Sequence, residues 1–192
     1  MNLPNKLTVT RIIMIPLFVA AYFITAIPFN YLISAVIFAL AAFTDFLDGY
    51  IARKYNLVTD LGKFLDPVAD KVLVAAALII MLVVPNGGAG ILPEYCAIFV
   101  AIILARELII SGFRMVAASK GKVLAADKSG KIKTFTQDIA ICVLLVGALF
   151  DGGIYTATNI AGLTLLGLAT VLTIISGTEA IVKNRSVLKA DK

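Results

Sequence analysis

The sequence predicts an all-α integral membrane protein with six transmembrane helices and both termini in the cytoplasm. Three observations support this fold class. Of the 192 residues, 60% are hydrophobic and only 15% are charged, a balance outside that of soluble globular domains. The apolar residues form uncharged runs long enough to cross a hydrocarbon core about 30 Å thick. Lysine and arginine concentrate in alternate connections, as they do in cytoplasmic loops.

The uncharged runs set the helix boundaries. The first run, 12–44, is interrupted by Pro28 and Asn30, so it predicts two helices joined by a tight turn. Further uncharged runs cover 72–93 and 152–178, and shorter apolar runs reach helical length by including a few polar residues. The predicted helices are 8–27, 30–53, 62–84, 93–118, 132–150 and 157–182, after a short interfacial N-terminal segment and within a single domain, 1–192.

The distribution of basic residues predicts the orientation. Six spans place both termini and the connections 54–61 and 119–131 on one side, whereas the opposite connections contain no lysine or arginine. We therefore expect a membrane protein whose basic rim meets the anionic cytoplasmic leaflet, and no nucleic-acid partner is needed to explain the net charge of +5. The basic rim comprises Lys6, Arg11, Arg53, Lys54, Lys63, Lys71, Lys120, Lys122, Lys128, Lys131, Lys133, Lys183, Arg185, Lys189 and Lys192.

Four aspartates lie where the second and third helices approach the cytoplasm. Asp45 and Asp48 are three residues apart near the end of the second helix, and Asp66 and Asp70 are four apart near the start of the third. Each pair therefore shares one helix face. Because the connection between the helices is short, we expect the two faces to meet. Four carboxylates that converge in this way would repel one another unless cations are bound.

Three interpretations of this cluster are open. The aspartates could form salt bridges with nearby cations, of which the sequence offers Arg53, Lys54, Lys63 and Lys71. They could mark a route for cations, as in a divalent-cation transporter, although no matching acid continues outward through the other helices. They could bind divalent metal, because carboxylates without histidine suit Mg²⁺ or Mn²⁺, and four of them balance two such ions. The pattern favours the metal site.

Small residues between the aspartates leave room for a ligand. With Gly49, Ala52 and Gly62 included, the residues spell D-x-x-D-G-x-x-A-R, then eight residues, then G-x-x-x-D-x-x-x-D. This pattern resembles the signature of the CDP-alcohol phosphotransferases, integral membrane enzymes of phospholipid synthesis. Every position of the signature is matched, including the gap.

The resemblance implies a role for each residue of the pattern. Asp45, Asp48 and Asp66 would be metal ligands, and Asp70 would contribute to the metal site and act as the general base. The implied cofactor is Mg²⁺ or Mn²⁺, with two ions bound. The reaction would move a phosphatidyl group from a CDP-linked lipid to an alcohol and release CMP, in a homodimer. The residues implied in binding the CDP-lipid are Asp48, Gly49, Ala52, Arg53 and Gly62.

The acceptor alcohol is indicated by other stretches of the chain. The segments "NLPNKLTVTRI", "ARELIISGFRMVAASKG" and "GKIKTFTQD" resemble those of family members that use CDP-diacylglycerol and glycerol 3-phosphate. A phosphorylated acceptor needs cations, and the candidates in the fourth and fifth helices are Arg114, Arg106, Lys131 and Lys133. Glu107 shares a stripe with Arg114 and is expected to orient it. Serine, inositol phosphate and phosphatidylglycerol remain alternative acceptors, and Lys131 and Lys133 could simply belong to the basic rim.

Overall fold

The computed structural model describes residues 3–54, 60–83, 90–120 and 128–185, without the side chains of 3–5, 46, 48–50, 52–54, 60–67 and 128. Within these residues the protein is all-helical, as the sequence predicts. Six helices follow one another along the chain: α1 (Leu3–Phe23), α2 (Asn30–Lys54), α3 (Asp60–Leu82), α4 (Cys96–Ser119), α5 (Lys128–Gly147) and α6 (Gly152–Lys183).

Several helix boundaries differ from those predicted. α1 begins at Leu3, so the expected N-terminal segment is part of the helix, and Pro4 lies in its first turn, where a missing N–H is tolerated. α1 ends at Phe23, four residues early, because a turn intervenes in which Phe29 has a left-handed φ of 59°. The Asn30 side chain donates a hydrogen bond to the Tyr22 carbonyl at 2.9 Å, which joins the end of α1 to the start of α2.

The packing order of the helices positions the site. α5 packs most extensively against α6, and α1 against α2, while α1 also contacts α3, α4 contacts α6 and α2 contacts α5. One apolar cluster joins these helices, and its fully buried members include Phe18, Phe38, Leu78, Ile103 and Leu145. α3 contacts α1, α2, α4 and α5 in this packing, so it adjoins each of the helices that contribute charged side chains to the site.

The surface of the helix bundle is apolar. Large side chains such as Leu108, Met115 and Phe135 are about 70% exposed on α4 and α5. Among the described residues, three segments are long and apolar enough to cross a membrane, namely Lys6–Phe23, Glu94–Ser119 and Gly152–Lys183, and Asn30–Asp45 is a shorter apolar helix. The protein is a multi-pass membrane protein whose exposed apolar side chains suit contact with lipid.

Candidate active site

Asp45 is held by an arginine of the first helix. Arg11 on α1 is completely buried, and one of its terminal nitrogens lies 2.8 Å from Asp45 Oδ1 on α2. Its Nε donates a second hydrogen bond to the Ala41 carbonyl at 3.3 Å, one turn before Asp45. The Asp45 side chain is 41% exposed, so one oxygen is fixed by Arg11 while the carboxylate remains accessible. α1 therefore takes part in building the aspartate site.

Asp70 lies near the same group of charges. Its carboxylate, on α3, interacts electrostatically with Asp45 on α2 and Glu107 on α4, and also with Lys71 and Arg11. The expectation that the second and third helices bring their aspartates together is thus confirmed for Asp45 and Asp70.

The rest of the aspartate pattern can be placed only by its backbone. Asp48, Gly49, Ala52 and Arg53 belong to α2, and Gly62 and Asp66 belong to α3, but their side chains lie outside the described residues. Among the described side chains no group of three or more metal-binding residues occurs. The expected ligand roles of Asp48 and Asp66 therefore stay predictions.

The donor chemistry nevertheless fits a divalent cation. Asp45 and Asp70 interact electrostatically with each other and with Asp138 on α5, although the three carboxylates do not by themselves form a metal-binding group among the described side chains. Asp138 Oδ1 is buried and has no hydrogen-bond partner in the part of the chain that the structure describes. Carboxylate oxygens are the donors that Mg²⁺ and Mn²⁺ prefer.

A second polar network lies beside the acids, on α4, α5 and α6. Lys133 Nζ on α5 lies 2.6 Å from Glu107 Oε1 on α4, and Arg106 binds the same oxygen at 3.1 Å. Arg106 also donates to Ser176 Oγ on α6 at 2.9 Å. Gly177 permits this contact, since a Cβ there would lie 3.0 Å from Arg106 Cγ. Glu107 thus links two inward-facing cations.

The four predicted acceptor-binding cations occupy two different environments. Lys133 is 2% exposed and Arg106 is mostly buried, whereas Arg114 and Lys131 are exposed. The expectation that Glu107 orients Arg114 is wrong, because Glu107 binds Arg106 and Lys133 while Arg114 lies seven residues, or about 10 Å of helix rise, further along α4. The buried Nε of Arg106 has no hydrogen-bond partner among the described residues.

Sequence reasoning missed three residues of this region. The sequence places Arg11 only in the basic rim, and Gln137 and Asp138 are among the few polar residues inside the predicted helix 132–150. A signal was available for each, since a charged or amide side chain inside a membrane helix is costly unless it has a structural or functional partner. Which partner it has depends on how the helices pack.

The chain is similar to known proteins over most of its length. The family model described as CDP-alcohol phosphatidyltransferase matches residues 1–176. A Bacillus subtilis protein named CDP-diacylglycerol–glycerol-3-phosphate 3-phosphatidyltransferase is 40% identical, over 98% of this chain and 97% of its own length. Proteins of the same name are 42% identical in Rickettsia felis, over 92% of this chain and 91% of the relative, and 40% identical in Salmonella typhimurium, over 91% and 90%.

These matches cover nearly the whole chain, including the segment that holds the aspartate pattern. The resemblance inferred from the aspartates and the small residues between them is confirmed. The chain belongs to the CDP-alcohol phosphatidyltransferase family.

Proposed function

We propose that this protein transfers the phosphatidyl group of CDP-diacylglycerol to sn-glycerol 3-phosphate, giving phosphatidylglycerophosphate and CMP. The observation that carries the proposal is the nearly full-length match to relatives named for this reaction. The inward-facing cations Lys133 and Arg106 beside the acids add support, because the acceptor carries a phosphate. Family membership argues for an enzyme and against a divalent-cation transporter.

In the proposed mechanism the aspartates perform two tasks. Asp45, Asp48, Asp66 and Asp70 would hold Mg²⁺ or Mn²⁺ through oxygen ligands alone. When bound, two such ions would neutralise the diphosphate and stabilise the departing CMP. Asp70 accepts the proton of the attacking hydroxyl as its oxygen bonds to phosphorus and the bond from phosphorus to CMP breaks. Arg11 keeps Asp45 in place throughout.

The CDP-lipid lies along α2 in this mechanism. Gly49, Ala52 and Gly62 leave space for the cytidine nucleotide, and Arg53 and Asp48 lie beside it. These assignments rest on the family pattern in the sequence.

The acceptor phosphate binds the cations of α4 and α5. Arg106 and Lys133 are the inner pair, and Arg114 and Lys131 attract the dianion at the rim. The unpartnered Nε of Arg106 supports this assignment, because a buried donor without an acceptor is unfavourable and a phosphate oxygen would satisfy it.

The membrane arrangement is also part of the proposal. All six helices cross the bacterial cytoplasmic membrane as one domain, in a homodimer, with both termini and the active site on the cytoplasmic side. Helix length supports six spans, since α5, with 20 residues, rises about 30 Å, which is the thickness of a hydrocarbon core.

The direct test uses purified protein in detergent with CDP-diacylglycerol, Mg²⁺ and a panel of alcohols. We expect CMP release with glycerol 3-phosphate, little with serine, inositol phosphate, phosphatidylglycerol or glycerol, and none in excess EDTA. CMP release with a different alcohol would agree with the family assignment but would show that the acceptor is not glycerol 3-phosphate. No release with any alcohol would refute the proposed function.

The acceptor pocket can be tested with two lysines of the same helix. Replacing Lys133 by alanine should raise the KM for glycerol 3-phosphate at least tenfold, because losing a charge-assisted hydrogen bond costs about 1.5–3 kcal/mol. Lys131→Ala should raise it less, since Lys131 is exposed. The KM for CDP-diacylglycerol should change little in both variants. Equal effects of the two substitutions would contradict the assignment of Lys133, and not Lys131, to the inner part of the acceptor pocket.

A further inference from the structure

Two consecutive residues of α5 carry buried oxygens without hydrogen-bond partners. Gln137 is 1% exposed, and its Oε1 has no partner within the described residues. Asp138 Oδ1 is also buried and has no hydrogen-bond partner within the described residues. A buried polar atom without a partner costs about 1–3 kcal/mol, so the almost completely buried Gln137 oxygen points to a ligand that donates a hydrogen bond to it.

Gln137 lies next to the cation network. It follows Lys133 by four residues, so the two side chains share a face of α5 and are separated by about 6 Å of helix rise. Both are almost completely buried, and Lys133 is bound to Glu107, which also binds Arg106. Lys133 and Gln137 therefore present a cation and an unpartnered amide oxygen on the same side of α5.

The same position adjoins the acids. Asp138 interacts electrostatically with Asp70, Lys133 and Asp45. Lys133, Gln137 and Asp138 therefore lie on one stretch of α5 that interacts electrostatically with Asp70, the proposed general base.

The acceptor in the proposed function has one further group to bind. Glycerol 3-phosphate carries a second hydroxyl, next to the reacting one, which takes no part in the reaction. The neutral amide oxygen of Gln137 can accept a hydrogen bond from this neutral hydroxyl. The Asp138 carboxylate is charged and lies with the other acids, so we assign the hydroxyl to Gln137. We infer that Gln137 hydrogen-bonds the non-reacting hydroxyl of the acceptor and so selects phosphorylated 1,2-diols, an inference that rests on the proposed function.

The test compares two acceptors that differ only in this hydroxyl, glycerol 3-phosphate and 3-hydroxypropyl phosphate. For the native protein, kcat/KM for CMP release should be at least tenfold higher with glycerol 3-phosphate, because the other acceptor leaves the buried amide unpartnered. In Gln137→Met, which keeps length and removes the polar end, this ratio should fall below threefold. Both values are measured on one preparation, so a partly inactive sample lowers them equally and leaves the ratio unchanged.

A matched control lies one residue away. The Thr136 hydroxyl is already bonded to the Ile132 carbonyl at 2.9 Å, so Thr136→Val should keep the native ratio. If Gln137→Met gives no measurable turnover, Gln137→Asn decides, because it withdraws the amide by one methylene. A reduced ratio in Gln137→Asn supports the inference, and a native ratio overturns it.

The other outcomes separate a failure of this inference from a failure of the proposed function. A native protein that does not distinguish the two acceptors, or a Gln137→Met variant that keeps the full preference, overturns the inference and leaves the proposed function intact. A native protein that uses neither acceptor refutes the proposed function and this inference with it.

Discussion

At the scale of single residues, the burial of Arg11 is the feature with the clearest energetic consequence. A guanidinium group that is completely excluded from solvent is tolerated only because acceptors surround it, and Asp45 is its anionic partner at 2.8 Å. Removing one member of such a pair costs more than removing both, since the remaining charge stays buried.

We therefore predict strong coupling between Arg11 and Asp45. Asp45→Asn should destabilise the metal-free protein by up to about 3 kcal/mol. This is the lower end of the range for breaking a buried ion pair, because the Asp45 side chain is 41% exposed. The double variant Arg11→Met/Asp45→Asn should lose much less stability than the sum of the single variants. Thermal unfolding midpoints of all four proteins in one detergent measure this coupling. Additive losses would show that the pair contributes nothing beyond its separate members.

Asp70 is expected to differ from the purely ligating aspartates in its kinetic effect. A general base acts on the chemical step, so Asp70→Asn should lower kcat by orders of magnitude while the affinity for CDP-diacylglycerol changes only a few fold. Asp48→Asn, at a predicted metal ligand, is the comparison and should weaken both. Steady-state kinetics and equilibrium binding of the CDP-lipid separate the two effects. Equal losses in Asp70→Asn would assign it a ligating role only.

At the scale of the helices, glycines decide how closely α5 and α6 approach. A Cβ built on Gly162 of α6 would lie 2.5 Å from Cγ of Leu144 on α5, and Leu144 is buried, so it has little room to move. This close contact fixes α5, which carries Lys133 and Gln137.

Gly162→Ala should therefore destabilise the protein by about 1–3 kcal/mol through overpacking. Gly167→Ala on the same helix is the control, because nothing lies within 4 Å of a Cβ there. It should be neutral or stabilising by up to about 1 kcal/mol, owing to the better helix propensity of alanine. Thermal unfolding in detergent measures the stability change of each variant. A larger loss of stability in Gly167→Ala than in Gly162→Ala would contradict the close contact between α5 and α6 at Gly162.

At the scale of the whole molecule, the basic rim predicts which side of the membrane each connection faces. In a background with Cys96 and Cys142 replaced by alanine, Tyr95→Cys lies before α4 and Lys120→Cys lies directly after it, both at exposed positions. A membrane-impermeant maleimide should label Tyr95→Cys in intact spheroplasts and Lys120→Cys only after permeabilisation. The reverse pattern would invert the proposed orientation.

The sequence by itself determined the helices and the sharing of faces within each helix. Asp45 and Asp48 fall on one face, and so do Asp66 and Asp70, because helical periodicity relates residues three and four apart. The apolar composition determined the membrane environment, and the spacing of aspartates and small residues determined the family.

Only the tertiary structure decided which charges meet. Lys133 binds Glu107 across 26 residues, and Arg106 binds Ser176 across 70, whereas the sequence favoured Arg114 as the partner of Glu107. Periodicity cannot choose between such partners, because contacts between helices depend on packing order and on close approaches such as that at Gly177. For the same reason, the burial of Arg11 and Gln137 emerged only when α1 and α5 were packed against their neighbours.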